Sequence, residues 1–137
     1  MVSSISHIAL IVRDPVRTAE LFAGVLGAHV VANRPDDDGH SQSFAKLGGV
    51  WFLLRQGTGP SCRNGDHIAL EVSRDELTAC AGRLATFDVE HFMAREDTAL
   101  YFTDYDNHVF ELDAGSTIDE ALTRCTSHDR HTSRAQQ

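Results

Sequence analysis

Three side chains in this sequence could do chemistry that their neighbours cannot. His7 interrupts the apolar run ISHIALIV over residues 5–12, and His67 opens HIALEV over residues 67–72. Five of six positions in HIALIV and HIALEV are identical, at a separation of 60 residues. Glu111 lies between Phe110 and Leu112 in HVFELDAG. On a strand whose face is buried, such a carboxylate needs a metal or a hydrogen-bonded cation as partner. A single histidine on an apolar strand is more often a hydrogen-bonded core residue than a ligand. The same histidine at the same place in two copies, joined by one inward carboxylate, is instead a 2-His-1-carboxylate set. That set leaves coordination positions open and suits Mn²⁺, Fe²⁺, Zn²⁺ or a similar ion. An ion held in that way acts as a Lewis acid.

The elements that must position these residues follow from patterning. Residues 5–12 read as a strand, and Asp14-Pro15 then starts a helix whose apolar positions Ala19, Phe22, Ala23 and Leu26 recur at helical spacing until Gly27 stops it. His29–Val31 reads as a short strand, residues 34–39 as a solvated loop, and residues 43–47 and 50–54 as a hairpin about Gly48-Gly49. After the glycine-rich stretch 57–65, expected as a linker, the pattern repeats: strand, a helix opened by the capping box Ser73 to Glu76, a short strand at 89–92, and a hairpin across Asp104–Asn107. The expected organisation is a first βαβββ module over 1–56, a second over 66–115, a helix over 116–125 and a frayed polar tail over 126–137. Trp51, Tyr105 and Phe110 are expected in the core, and His108 outside any metal shell.

The chain has 137 residues, enough for one domain with a real core, and its 42% hydrophobic and 23% charged fractions are ordinary for a globular protein. A formal net charge of -8 argues against nucleic acid and against an anionic membrane surface. No apolar run approaches the ~20 residues of a membrane span, and no secretory signal precedes the first strand, so the cytoplasm is expected. Cys62, Cys80 and Cys125 have neither a disulfide framework's number nor a zinc knuckle's spacing.

The paired HIALIV and HIALEV strands, the two βαβββ halves and the run YFTDYDNHVFELDAG over 101–115 resemble the vicinal-oxygen-chelate (glyoxalase/bleomycin-resistance/dioxygenase) superfamily. Within it they are most similar to fosfomycin-resistance proteins, above all the branch that opens the drug's epoxide with water. The resemblance covers about residues 4–125. It implies an α+β fold whose curved mixed sheets surround a divalent ion, usually Mn²⁺, with Fe, Zn, Ni and Mg as alternatives. His7, His67 and Glu111 match the ligand positions. It further implies a homodimer with exchanged modules, in which His7 of one chain meets His67 and Glu111 of the other, and a small-molecule substrate opened by water or by a thiol cosubstrate. The same scaffold also carries dioxygenases, isomerases and drug-sequestering proteins, so the fold alone leaves the reaction open.

Several positions depart from that family pattern. The glutamate that activates water in the hydrolytic branch corresponds to Gln42, which cannot accept a proton; His40, two residues earlier, is the candidate replacement. The threonine of the thiol-transferring branch is Ala9. The phosphonate-binding arginine of the last helix falls near Glu120 or Ala121, which leaves Arg95 and His91 as the candidate compensating cations. Tyr101 matches a family tyrosine that can donate to a phosphonate oxygen.

Overall fold

The computed structural model describes residues 1–134. The first half comprises β1 (His7–Val12), α1 (Pro15–Leu26), β2 (His29–Pro35), β3 (Ser41–Leu47) and β4 (Val50–Gln56). The second comprises β5 (His67–Glu71), α2 (Arg74–Thr86), β6 (His91–Ala94), β7 (Ala99–Thr103) and β8 (Val109–Asp113), followed by α3 (Thr117–Arg134). Two four-stranded sheets result, ordered β1-β4-β3-β2 and β5-β8-β7-β6. In each, the first and last strands of the half pair in parallel and the remaining pairs are antiparallel. This is the α+β architecture of two βαβββ units that the repeat predicts.

Local chemistry explains the boundaries. Asp14 accepts the Arg17 amide at 3.1 Å to open α1, and Gly27, at φ 70°, closes it with its own amide on the Ala23 carbonyl. Ser73 accepts the Glu76 amide at 3.1 Å to open α2. Gly48 and Gly49 both have positive φ, the backbone that a two-residue hairpin between twisted strands requires.

Two boundaries differ from expectation. β2 extends to Pro35 rather than ending at Val31; it is an edge strand, where a residue without an N–H is tolerated. The turn that follows is built by Asp36, whose Oδ1 accepts the amides of Asp38 and His40. The segment expected to fray after Cys125 instead continues α3 to Arg134, since no glycine or proline interrupts it after Ser116. The rest of the expected tail, 135–137, lies outside the described residues. No helix among the described residues is long and apolar enough to cross a membrane.

Period-2 alternation gives each sheet one face packed on helices and one left open. In the first sheet Leu10, Val12, Ala45, Phe52 and Leu54 are buried on the helix side; in the second Leu100, Phe102, Phe110 and Leu112 are. The two halves share one core because Phe22 of α1 meets Phe52 of one sheet and Phe110 of the other edge-on, at 5.8 and 5.4 Å between centroids. Arg83 of α2 caps the end of α1 by donating to the Val25 carbonyl at 3.0 Å.

A polar latch adds to this packing. The Asp106 carboxylate accepts the Arg13 amide and guanidinium at 3.1 and 2.9 Å, Arg17 lies 3.7 Å above the Tyr105 ring, and Asn107 donates to the Pro60 carbonyl. Within the turn, Asp104 accepts the amides of Asp106 and His108 and bonds the His108 ring at 2.8 Å. That ring bond holds the His108 imidazole above its ordinary pKa although burial opposes it.

Phe22→Ala should cost about 3–5 kcal/mol, measured by urea unfolding, because it removes the ring common to both sheets. A loss under about 1 kcal/mol would mean that the halves are stable independently of it. The His108 pair should make stability fall with pH. A raised folded pKa contributes stability fully present below the ordinary imidazole value of about 6.5 and lost as pH rises through the folded value. The stability gap between the natural protein and His108→Gln should therefore close on going from mildly acidic to alkaline pH; a constant gap would contradict it.

Candidate metal centre

The strand registers decide which predicted residues share a face. β5 and β8 are parallel with His67 opposite Val109 and Ala69 opposite Glu111, so His67 and Glu111 lie on one face of neighbouring strands, that of the open side. Tyr101 of β7 stands opposite Glu111 on the other flank. The rings of His67 and Tyr101 are 5.9 Å apart.

His67 is prepared as a donor. Its Nδ1 lies 3.0 Å from the Gly65 carbonyl, and a proton on Nδ1 for that bond leaves the Nε2 lone pair outward. Glu111 is only 5% exposed. Its Oε1 accepts the Tyr101 hydroxyl and an Arg95 N–H, both at 2.5 Å, and among the described residues Oε2 accepts neither. Burial pushes the Glu111 carboxyl up, but the Tyr101 and Arg95 bonds together bring it below the usual carboxylate range. The same bond keeps the Tyr101 phenol above its ordinary value, hence protonated and a donor.

Arg95 reaches this carboxylate from an unusual turn. Arg95, Glu96 and Asp97 all have left-handed backbone, with φ of 48°, 53° and 62°, a conformation that costs a non-glycine residue roughly 1–2 kcal/mol. The Thr98 hydroxyl and amide both donate to the Arg95 carbonyl and brace the turn. Beside it, a cleft of about 490 Å³ lies between the turn and the start of α3, lined by Arg95, Thr98, Thr117, Glu120, Ala121 and Arg124 among others. Gly115 permits the close approach there: a Cβ at that position would lie 3.1 Å from the Thr98 side chain. Asp113 fixes the start of α3 by accepting the Gly115 and Thr117 amides and the Thr117 hydroxyl.

His7 occupies the matching position on the other sheet, in β1 opposite Trp51 of β4. Its ring nitrogen lies 3.0 Å from the Ser6 hydroxyl. Beside it is an apolar cavity of about 340 Å³ lined by Val31, Phe44, Trp51 and Leu53. Trp51 therefore departs from its expected core position: it is half-exposed on the open face, with the Lys46 ammonium 5.4 Å from its ring. Within one chain, His7 is not assembled with His67 and Glu111. Among the described residues, the one trio of His, Cys, Asp or Glu whose donor atoms all lie within 4.8 Å of one another is Asp36, Asp38 and His40, in the β2–β3 turn.

The remaining candidates divide. Gln42 pairs with Arg55 of β4, and Arg55 with Ile11 of β1, which puts Gln42 on the open face with His7 but two pleats along. His40 does not join it. β3 begins at Ser41, and His40 belongs to the preceding turn, its ring 3.6 Å from Asp36. His91 pairs with Phe102 and so shares the helix side of the sheet, opposite Glu111; its ring bonds the Val89 carbonyl. His91 therefore leaves the set of cations facing the centre. Arg124 is the cation that reading by residue type missed. Its signal was helical spacing, three residues beyond Ala121, and it pairs with Glu120 at 3.9 Å.

Tested against the donor set, a divalent ion fits: one buried carboxylate, one histidine with its outer nitrogen presented, and a second histidine at the equivalent position of the repeat. No family model matches the chain. It is 32% identical to the fosfomycin resistance protein FosX of Listeria innocua, with 90% of this chain and 98% of that protein aligned. It is 27% identical to the metallothiol transferase FosB of Staphylococcus epidermidis, with 87% and 88% aligned. A crystal structure of a variant of FosX from Listeria monocytogenes, complexed with Mn(II) and 1S,2S-dihydroxypropylphosphonic acid, superposes with a TM-score of 0.79 at 29% identity, covering 88% of this chain and 99% of that one.

Proposed function

The chain belongs to the fosfomycin-resistance proteins of the vicinal-oxygen-chelate superfamily, and on that premise we propose how its own residues open the epoxide of fosfomycin. The protein is a divalent-metal-dependent enzyme of antibiotic resistance that adds water or a thiol to this small epoxide, with Mn²⁺ as the ion. The observation that carries the site assignment is the common face of His67 and Glu111, with the Gly65 bond leaving Nε2 of His67 outward.

His67 and Glu111 of one chain, with His7 of a second chain, are the proposed ligands. The ion, when bound, supplies Lewis-acid polarisation of the oxirane oxygen. Tyr101 gives its hydroxyl proton to Glu111 in a hydrogen bond and orients it, which leaves Arg95 as the residue that faces the substrate's anionic end. The apolar wall of Val31, Phe44, Trp51 and Leu53 beside His7 would face the carbon side of the epoxide. Gln42 has no lone pair basic enough to deprotonate water, which favours a nucleophile that arrives already ionised, a thiolate, as in a metallothiol transferase. The diol phosphonate in the Listeria monocytogenes FosX complex is what addition of water to such an epoxide yields, and it favours water.

The separation of His7 from the other two proposed ligands within one chain supports a homodimer. A reducing compartment, the cytoplasm, agrees with all three cysteines being free thiols.

Purified protein with Mn²⁺ and fosfomycin, with and without a thiol, should convert the phosphonate, followed by phosphorus NMR; no conversion in either mixture rejects the reaction. His7→Ala and Glu111→Gln should each be inactive. Unfolded and refolded together in equal amounts, they should regain about a quarter of the natural activity, because half the dimers are mixed and each mixed dimer has one intact site. A mixture as inactive as its parents would mean that the three ligands come from one chain.

A further inference from the structure

The buried Glu111 carboxylate is already neutralised, and the group that neutralises it is placed so that it can leave. Arg95 is the one cation in hydrogen-bonding contact with Glu111 among the described residues, and it is 38% exposed in its side chain while Glu111 is 6% exposed. It comes from the tip of a hairpin rather than from a packed strand. The left-handed run Arg95–Asp97 is braced by Thr98 on the Arg95 backbone rather than by the guanidinium.

Beside that turn lies the cleft of about 490 Å³ that Arg95 itself lines. The Glu120 carboxylate and the Arg124 guanidinium, paired at 3.9 Å, line the same cleft. A guanidinium and a divalent ion held by the same carboxylate would repel each other, in a position too buried for water to screen fully. The two cations therefore compete for Glu111.

We infer that Arg95 is the counter-cation of Glu111 in the metal-free protein and moves to the cleft beside Thr98 and Glu120 when a divalent ion binds, so that the substrate's anionic group is received only after the ion. This rests on Glu111 being a metal ligand, and it deepens that reading by fixing the order of binding. Tyr101 remains on Glu111 throughout, since a neutral hydroxyl does not repel the ion and orients the carboxylate.

The test is a Mn²⁺ titration of metal-free protein followed by electron paramagnetic resonance. Arg95→Ala should bind Mn²⁺ about tenfold more tightly than the natural protein, as expected when a charge-assisted hydrogen bond to the ligand no longer has to be broken. A merely structural arginine would have the opposite sign, because its loss would disorder Glu111. Unchanged or weaker Mn²⁺ binding by Arg95→Ala overturns the inference. Arg95→Gln, which keeps the stem and a donor without the charge, should show the same gain and replaces the alanine variant if that one does not fold. Calorimetry with methylphosphonate supplies the second readout: the natural protein should bind it only when loaded with Mn²⁺, and loaded Arg95→Ala should bind it about tenfold more weakly than the loaded natural protein. Equal methylphosphonate affinity with and without Mn²⁺ also overturns the inference. Glu111→Gln separates the two levels: if it keeps full Mn²⁺ affinity the ligand assignment itself fails, whereas its loss of Mn²⁺ with Arg95→Ala unchanged rejects the competition alone.

Discussion

The contact of Phe22 with Phe52 and Phe110 is the interaction on which the rest of the molecule depends. A four-stranded sheet with one helix cannot cover both of its faces, so each half buries the face that carries Leu54 or Leu112 and leaves the other open. Phe22 fixes the halves by their covered sides. The pleat then obliges His7, His67 and Glu111, at the opposite parity, to face outward from the shared core. The same alternation that makes the core also makes the open faces.

Glu111 is the exception that gives the second open face its chemistry. It is flanked by the buried Phe110 and Leu112, yet its own side chain meets Tyr101 and Arg95. Burial raises the free energy of its ionised form, and the two donors more than offset this. Glu111 is thereby kept ionised on the open face, and His67 beside it has its tautomer set by a backbone carbonyl. Gln42 shares the open face of the first sheet with His7, and its amide is not a base.

The fold was legible in the sequence to the extent that local signals set it. The repeat of HIALIV in HIALEV, Asp14 and Ser73 as caps, Gly27 as a stop and Gly48-Gly49 as a turn all act within a few residues, and the structure follows them. What was not legible depended on register or on distant partners. His91 could be assigned to an element but not to a face, since its parity is fixed by pairing with Phe102. His40 was one residue short of a strand whose start is decided by Asp36 binding the turn amides. Trp51 looked like core because aromatic residues on strands usually are, and only the position of β4 beside His7 puts it on the open face. The latch of Arg13 and Arg17 on Asp106 and Tyr105 joins residues about ninety positions apart, and no local pattern announces it. The continuation of α3 to Arg134 was missed for the converse reason: polar composition suggested fraying, while the absence of a helix breaker decided the outcome.

The back-to-back docking of the halves has a consequence at the level of the cell. On the proposed division of ligands, a newly made chain is folded but inert until it meets another, and the concentration of working centres at low expression rises with the square of the chain concentration. Protection against an antibiotic would then set in as a threshold rather than in proportion to gene dosage. A modest increase in transcript, or a modest tightening of the contact between chains, would separate susceptible cells from surviving ones. Selection on such a protein can therefore act on a surface remote from the epoxide, and gain in drug tolerance without any change in the chemistry of an individual site.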